Sequence, residues 1–267
     1  MLRKLYAHEF YALYKRLFPV YIGLALITLM TRASYLINTE DYDFLFGGII
    51  KGSATVLSVL AIIAMAVISM VIILMRFYKN LLGNEGYLTF TLPVTPLNHI
   101  WCKLITAFIA TVTTAIVAFG AIIALLAGTD IFTTLFTEFK DILIGLYNLG
   151  AVKFIVISSQ TVIFAITIIF SALLMFYVSM AFGQQFKKRI AGAIITYIVI
   201  YTIIQMLETV VLIVAVALSE PITQMINDEP FLSLTLGLSL AILYNLALSA
   251  VYFIVTHHML TKKLNLE

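Results

Sequence analysis

One cysteine, Cys102, stands in the whole chain, so no intrachain disulfide is possible and nothing points to an oxidising compartment. Charge is equally scarce. Asp, Glu, Lys and Arg make up 11% of 267 residues and hydrophobic residues 63%, where a soluble domain has about 25% and about 45–50%. That balance excludes an ordinary soluble globular protein and predicts an integral membrane protein, with no room for an independent globular domain. Catalytic signatures are missing too. There is no GxxxxGK[ST] run to cradle nucleotide phosphates, no HExxH and no GxSxG elbow. The four histidines, His8, His99, His257 and His258, offer no metal site, and the adjacent pair would point about 100° apart on a helix. Neither an enzyme nor a cofactor of its own is expected.

What is present is apolar sequence in long runs. A membrane-crossing helix needs about 20 apolar residues, and six runs qualify: residues 18–37, 54–75, 104–127, 154–182, 190–218 and 231–255. The fourth and fifth exceed a core about 30 Å thick, at about 1.5 Å per residue, and must tilt or project. Residues 1–17 are different. Leu2, Tyr6, Phe10, Leu13 and Leu17 recur at helical spacing, while Arg3, Lys4, His8, Glu9, Lys15 and Arg16 fill the other face. This predicts an amphipathic interfacial helix joined to the first span through Pro19. No cleavable leader is expected, because the first apolar run is followed by five more. The fold class is thus an all-α membrane protein of six transmembrane helices in a single domain, residues 1–267.

Lys and Arg in the connections set the orientation. Six spans put both ends on one side, together with residues 76–96 and 183–189. That side carries twelve Lys and Arg against three acids, and the other carries four against nine. The termini and residues 76–96 are therefore expected in the cytoplasm. Lys187, Lys188 and Arg189 read as a positive anchor that also attracts anionic lipid. The outer loops 38–53 and 219–230 are too short for folded domains. Residues 131–147 alternate apolar and polar groups at helical spacing, predicting an amphipathic external helix between spans three and four, packed on the bundle or acting as a lid.

Polar groups inside spans are costly and mark pathways or interhelical contacts. Glu208 lies in the fifth span and Arg32 in the outer half of the first. Either the two pair, or Glu208 faces an aqueous cavity, or each reaches the outer headgroups. Gln160, Gln205 and Asn245 are the uncharged polar residues of note, with Gln205 one turn from Glu208 on the same face.

The longest polar interruption on the positive side is RFYKNLLGNEGYLTFTLPVTP, residues 76–96. Gly83 and Gly86 permit a tight turn or a close backbone approach. Tyr87, Thr89 and Thr91 alternate with Leu88, Phe90 and Leu92; a strand and a helical turn or two are both compatible with that pattern. Some twenty residues are more than a plain turn between spans needs. The run LLGNEGYLTFTLPVTP between the second and third spans, with the whole layout around it, resembles the permease subunits of bacterial ATP-binding-cassette exporters. The subclass is the six-span one that includes lantibiotic and bacteriocin self-protection exporters and the exporter of phenol-soluble modulins.

The resemblance implies that this segment is the coupling helix, docking in a groove of a separate ATP-binding subunit. Asn80, Gly83, Asn84, Glu85, Gly86, Tyr87 and Leu88 would form the contact surface. It also implies a second permease copy, identical or a paralogue, with the path between them; ATP and Mg bound by the partner subunit; and residence in a bacterial plasma membrane. The expected cargo is amphipathic, an antimicrobial or toxin-like peptide or a lipid-like molecule, and no nucleic acid is involved. Here the external connection between spans five and six, residues 219–230, is shorter than in eukaryotic relatives of similar layout. A secondary transporter, or an immunity protein that only sequesters peptide, is the competing expectation. Against the transporter stand the absence of a repeat, of a broken pair of spans and of a ladder of ionisable residues.

Overall fold

The computed structural model describes residues 2–36, 44–82, 96–148, 150–217 and 230–262. Residues 37–43, 83–95 and 218–229, which include part of the outer loop 38–53 and most of 219–230, lie outside them. The described residues form seven α-helices: α1 Leu2–Leu36, α2 Phe44–Phe77, α3 Pro96–Leu126, α4 Asp130–Asn148, α5 Ala151–Gly183, α6 Arg189–Ala217 and α7 Pro230–Lys262. A π-helical turn, Tyr78–Leu82, follows α2 directly. All but α4 are long and apolar enough to cross a membrane.

The helices run further than the apolar runs that mark them. No break separates residues 2–17 from the first span: α1 is one continuous helix with Pro19 inside it. Proline there removes the donor that the Lys15 carbonyl would use, a loss that long apolar helices tolerate. Likewise α3 begins at Pro96, and Lys103 lies within it, 5% exposed. Hydropathy reads where a helix can face lipid. The backbone continues for as long as its own hydrogen bonds are made, and proline fits the first turn.

Two compact units divide the chain. Unit 1 comprises residues 1–76 and 105–142. In it α1 packs against α2 and α3. Leu24, Met65 and Ala121 are buried together, with Val20, Ala61, Ile62, Val117 and Ala118 around them. Hydroxyls stitch the same helices. Tyr14 bonds Thr113 at 2.6 Å, Tyr21 bonds Thr114 at 2.7 Å, and Thr31 bonds Ser58 and the Ala54 carbonyl. Such bonds hold helices where lipid tails offer no hydrophobic drive between them. One expectation is corrected here. Glu9 does not sit on a solvated polar face. It is 5% exposed and accepts a 3.0 Å hydrogen bond from Arg76 Nε at the end of α2. Leu13 and Leu17, expected on the membrane-facing side, are buried at 3% and 0%. An apolar stripe only says that a face leaves water, not whether lipid or protein covers it.

The start of α4 is built by its cap. Gly128 adopts φ +80, and Thr129 accepts from the Phe132 N–H at 3.3 Å. Asp130 adds a negative charge at the helix N-terminus. A helix thus occupies residues 131–147 as the spacing predicts, and none of its residues is buried.

Unit 2 comprises residues 77–104 and 143–267. Its centre is α5, which packs on both α7 and α6. The turn from α5 to α6 is tight. A Cβ on Gly183 would lie 2.6 Å from the Ala193 nitrogen and 2.8 Å from its Cα. A backbone neighbour cannot swing away, so Gly183→Ala is expected to destabilise by about 1–3 kcal/mol. Gly23, in the middle of α1, meets nothing within 4 Å. Gly23→Ala should therefore stabilise slightly, by up to about 1 kcal/mol. Thermal unfolding of both variants in detergent checks the contrast, and equal effects would dismiss the crowding argument.

Candidate functional site

The segment singled out by sequence, residues 76–96, lies mostly outside the described residues, including Gly83, Asn84, Glu85, Gly86, Tyr87 and Leu88. Its two roots are described, and both belong to unit 2. On the upstream side α2 ends at Phe77 and the chain passes into the turn Tyr78–Leu82, where Asn80 is half-buried. Phe77, Leu81 and Leu82 are at most 1% exposed. Wide π-type turns widen a helix locally and recur at functional positions. On the downstream side Ile100, Cys102 and Leu104 are equally buried, as is His99.

One side chain holds both roots. Tyr177 of α5, 1% exposed, stacks on Phe77 with ring centroids 3.7 Å apart and planes within 9°. Its hydroxyl donates to the Lys103 carbonyl at 3.3 Å. The ends of the intervening segment are therefore fixed to the same turn of α5. Sequence reasoning missed Tyr177 altogether. An aromatic residue in an apolar run carries no mark of what it touches.

The intramembrane polar residues fall into separate settings. Gln160 links α5 to α7, donating to Ser239 Oγ at 3.1 Å and to the Thr235 carbonyl at 3.4 Å. That is the interhelical hydrogen bond expected of such a residue. Asn245 turns back on its own helix, donating to the Ala241 carbonyl at 2.9 Å. Arg32 belongs to unit 1, where its guanidinium lies beside the α3–α4 turn, 3.8 Å from where a Cβ on Gly128 would sit. Glu208 belongs to unit 2 and is exposed. Gln205 donates to its Oε2 at 3.0 Å and the Tyr244 hydroxyl of α7 to its Oε1 at 3.5 Å. Of the five, the structure thus brings Gln205 and Glu208 together. Sequence spacing pointed to that pair but not to Tyr244.

A second feature of α6 lies on the same face. Phe176, Tyr197 and Tyr201 form a stacked run, with centroids 4.6 Å and 6.2 Å apart. Tyr197, Tyr201, Gln205 and Glu208 follow helical spacing, so rings and carboxylate share one stripe about 16 Å long. Among the described residues no group of three or more His, Cys, Asp or Glu side chains could hold a metal ion. No family model, no curated protein and no solved structure matches this chain.

Proposed function

We propose that the chain is the permease subunit of an ATP-driven exporter, moving amphipathic cargo out of the cell or out of the membrane. It is itself non-catalytic. A separate ATP-binding subunit hydrolyses ATP with Mg, and residues 76–96 dock onto that subunit from the cytoplasm of a bacterial cell. The observation that supports this reading best is the buried anchorage at both roots of the segment, Tyr177 with Phe77 and with the Lys103 carbonyl. Force delivered to a segment with loose ends is lost in local bending. Delivered between two buried ends, it reaches α2, α3 and α5 together. Two permease copies would enclose the path, and the exposed stripe of Glu208, Gln205 and Tyr201 is a surface that cargo could meet.

The test is to co-express the chain with the ATP-binding-cassette ATPase encoded beside its gene. A stable complex is expected, together with ATP-dependent export of an amphipathic peptide. Glu85→Arg combined with Tyr87→Ala should abolish export and release the ATPase while leaving the permease folded. If no complex forms, or the double variant exports normally, the docking assignment is wrong. Export without any ATPase would indicate a secondary transporter, and binding without export a sequestering protein.

A further inference from the structure

From the stripe on α6 we infer a binding face for the cationic group of an amphipathic peptide, with Glu208 as its electrostatic anchor. The inference deepens the permease reading and rests on it for the class of cargo. It begins with where the carboxylate lies. Glu208 is 18 residues beyond Ile190 on a helix of hydropathy and length fit to cross a membrane, and it is exposed. An ionisable group on such a helix is retained when something uses it. Its surroundings are apolar: Leu207, Val211 and Leu212 are all more than half exposed.

The carboxylate is also oriented. One oxygen accepts from Gln205 and the other from Tyr244, on two different helices. Both partners are neutral, so they aim the charge without neutralising it. A carboxylate has about four acceptor positions, and these two bonds leave the exposed ones for an incoming donor. Below it on the helix, Tyr201 and Tyr197 lie about two and three turns away, with Tyr201 47% exposed. Aromatic faces attract ammonium and guanidinium groups and also cover the apolar stems that carry them. The whole stripe therefore offers what a lysine- or arginine-bearing amphipathic helix presents in return: aromatic and aliphatic surface for its apolar side, and one fixed negative charge for its cation. Lipid tails would cover the apolar part but bring the carboxylate no cation. A zwitterionic headgroup would satisfy it without discrimination.

The experiment measures binding of fluorescent synthetic amphipathic peptides to the purified protein in nanodiscs of zwitterionic lipid, with no ATPase present. The probe is a helix of leucine and lysine, compared with the same peptide acetylated on its lysines and with a leucine–glutamate version. The unaltered protein should bind the lysine peptide about tenfold more tightly than the acetylated one. Glu208→Gln should remove that difference and leave the acetylated peptide unaffected. Glu208→Lys should shift the preference to the glutamate peptide, which a merely structural role would not do. The inference is overturned if acetylation changes nothing on the unaltered protein, or if Glu208→Gln weakens both peptides equally. Because no ATPase is used, failure here leaves the docking of residues 76–96 standing, and failure of that docking leaves this binding intact.

Discussion

Arg76→Leu is expected to destabilise the protein by about 3–5 kcal/mol, among the largest effects of any single substitution in unit 1. The cause is the charge left behind. Glu9 is 5% exposed, and the Arg76 guanidinium is its ion-pair partner at 3.0 Å. Remove the guanidinium and a buried carboxylate loses its ion-pair partner. Replacing both residues, Glu9→Leu with Arg76→Leu, should be close to neutral, because desolvating an ion pair offsets most of the attraction it gains. Thermal unfolding of the two single variants and the double variant in detergent completes the cycle. The ion pair should also resist added salt, unlike a pair on the surface. If the double variant is as unstable as the singles, the contact matters through packing and not through charge.

Tyr177→Ala should cost a similar amount, about 3–5 kcal/mol, because it empties a fully buried aromatic site. Tyr177→Phe keeps the ring on Phe77 and loses only the hydroxyl bond to the Lys103 carbonyl, for about 1 kcal/mol. The two variants also separate stability from coupling. Under the permease reading, Tyr177→Phe should remain folded while the downstream root of the segment is loosened, so ATP-driven export should fall more than the unfolding temperature does. Export unchanged in Tyr177→Phe would place the transmitted force on the ring stack alone. Equal stability loss in both variants would contradict the weight given to the stack.

Much of the architecture was legible beforehand for a plain reason. Whether a stretch of backbone can lie in a bilayer depends on composition over about 20 residues, and that is local information. The six long helices follow from it, as does the helix at residues 131–147 from its periodicity. Extents were less legible. A charge such as Lys103 bounds an apolar run without ending a helix, and Pro19 lies inside both the first run and its helix. Of the site, Gln205 with Glu208 could be read from spacing because one turn of helix joins them. Gln160 was legible as an interhelical polar residue, though not its partners Ser239 and Thr235.

By itself, then, the chain determined its class, the number of its long apolar helices and the segment that interrupts them with polar residues. Each of those is a property of neighbours in sequence. Tertiary structure alone decided that Glu9 leaves the polar face for Arg76, 67 residues away, and that Tyr177 reaches Lys103, 74 residues away. Contacts of that range depend on which helix faces come together, and a residue's type does not encode its distant partner. The same holds for Tyr244, which turned a lone carboxylate on α6 into an oriented one.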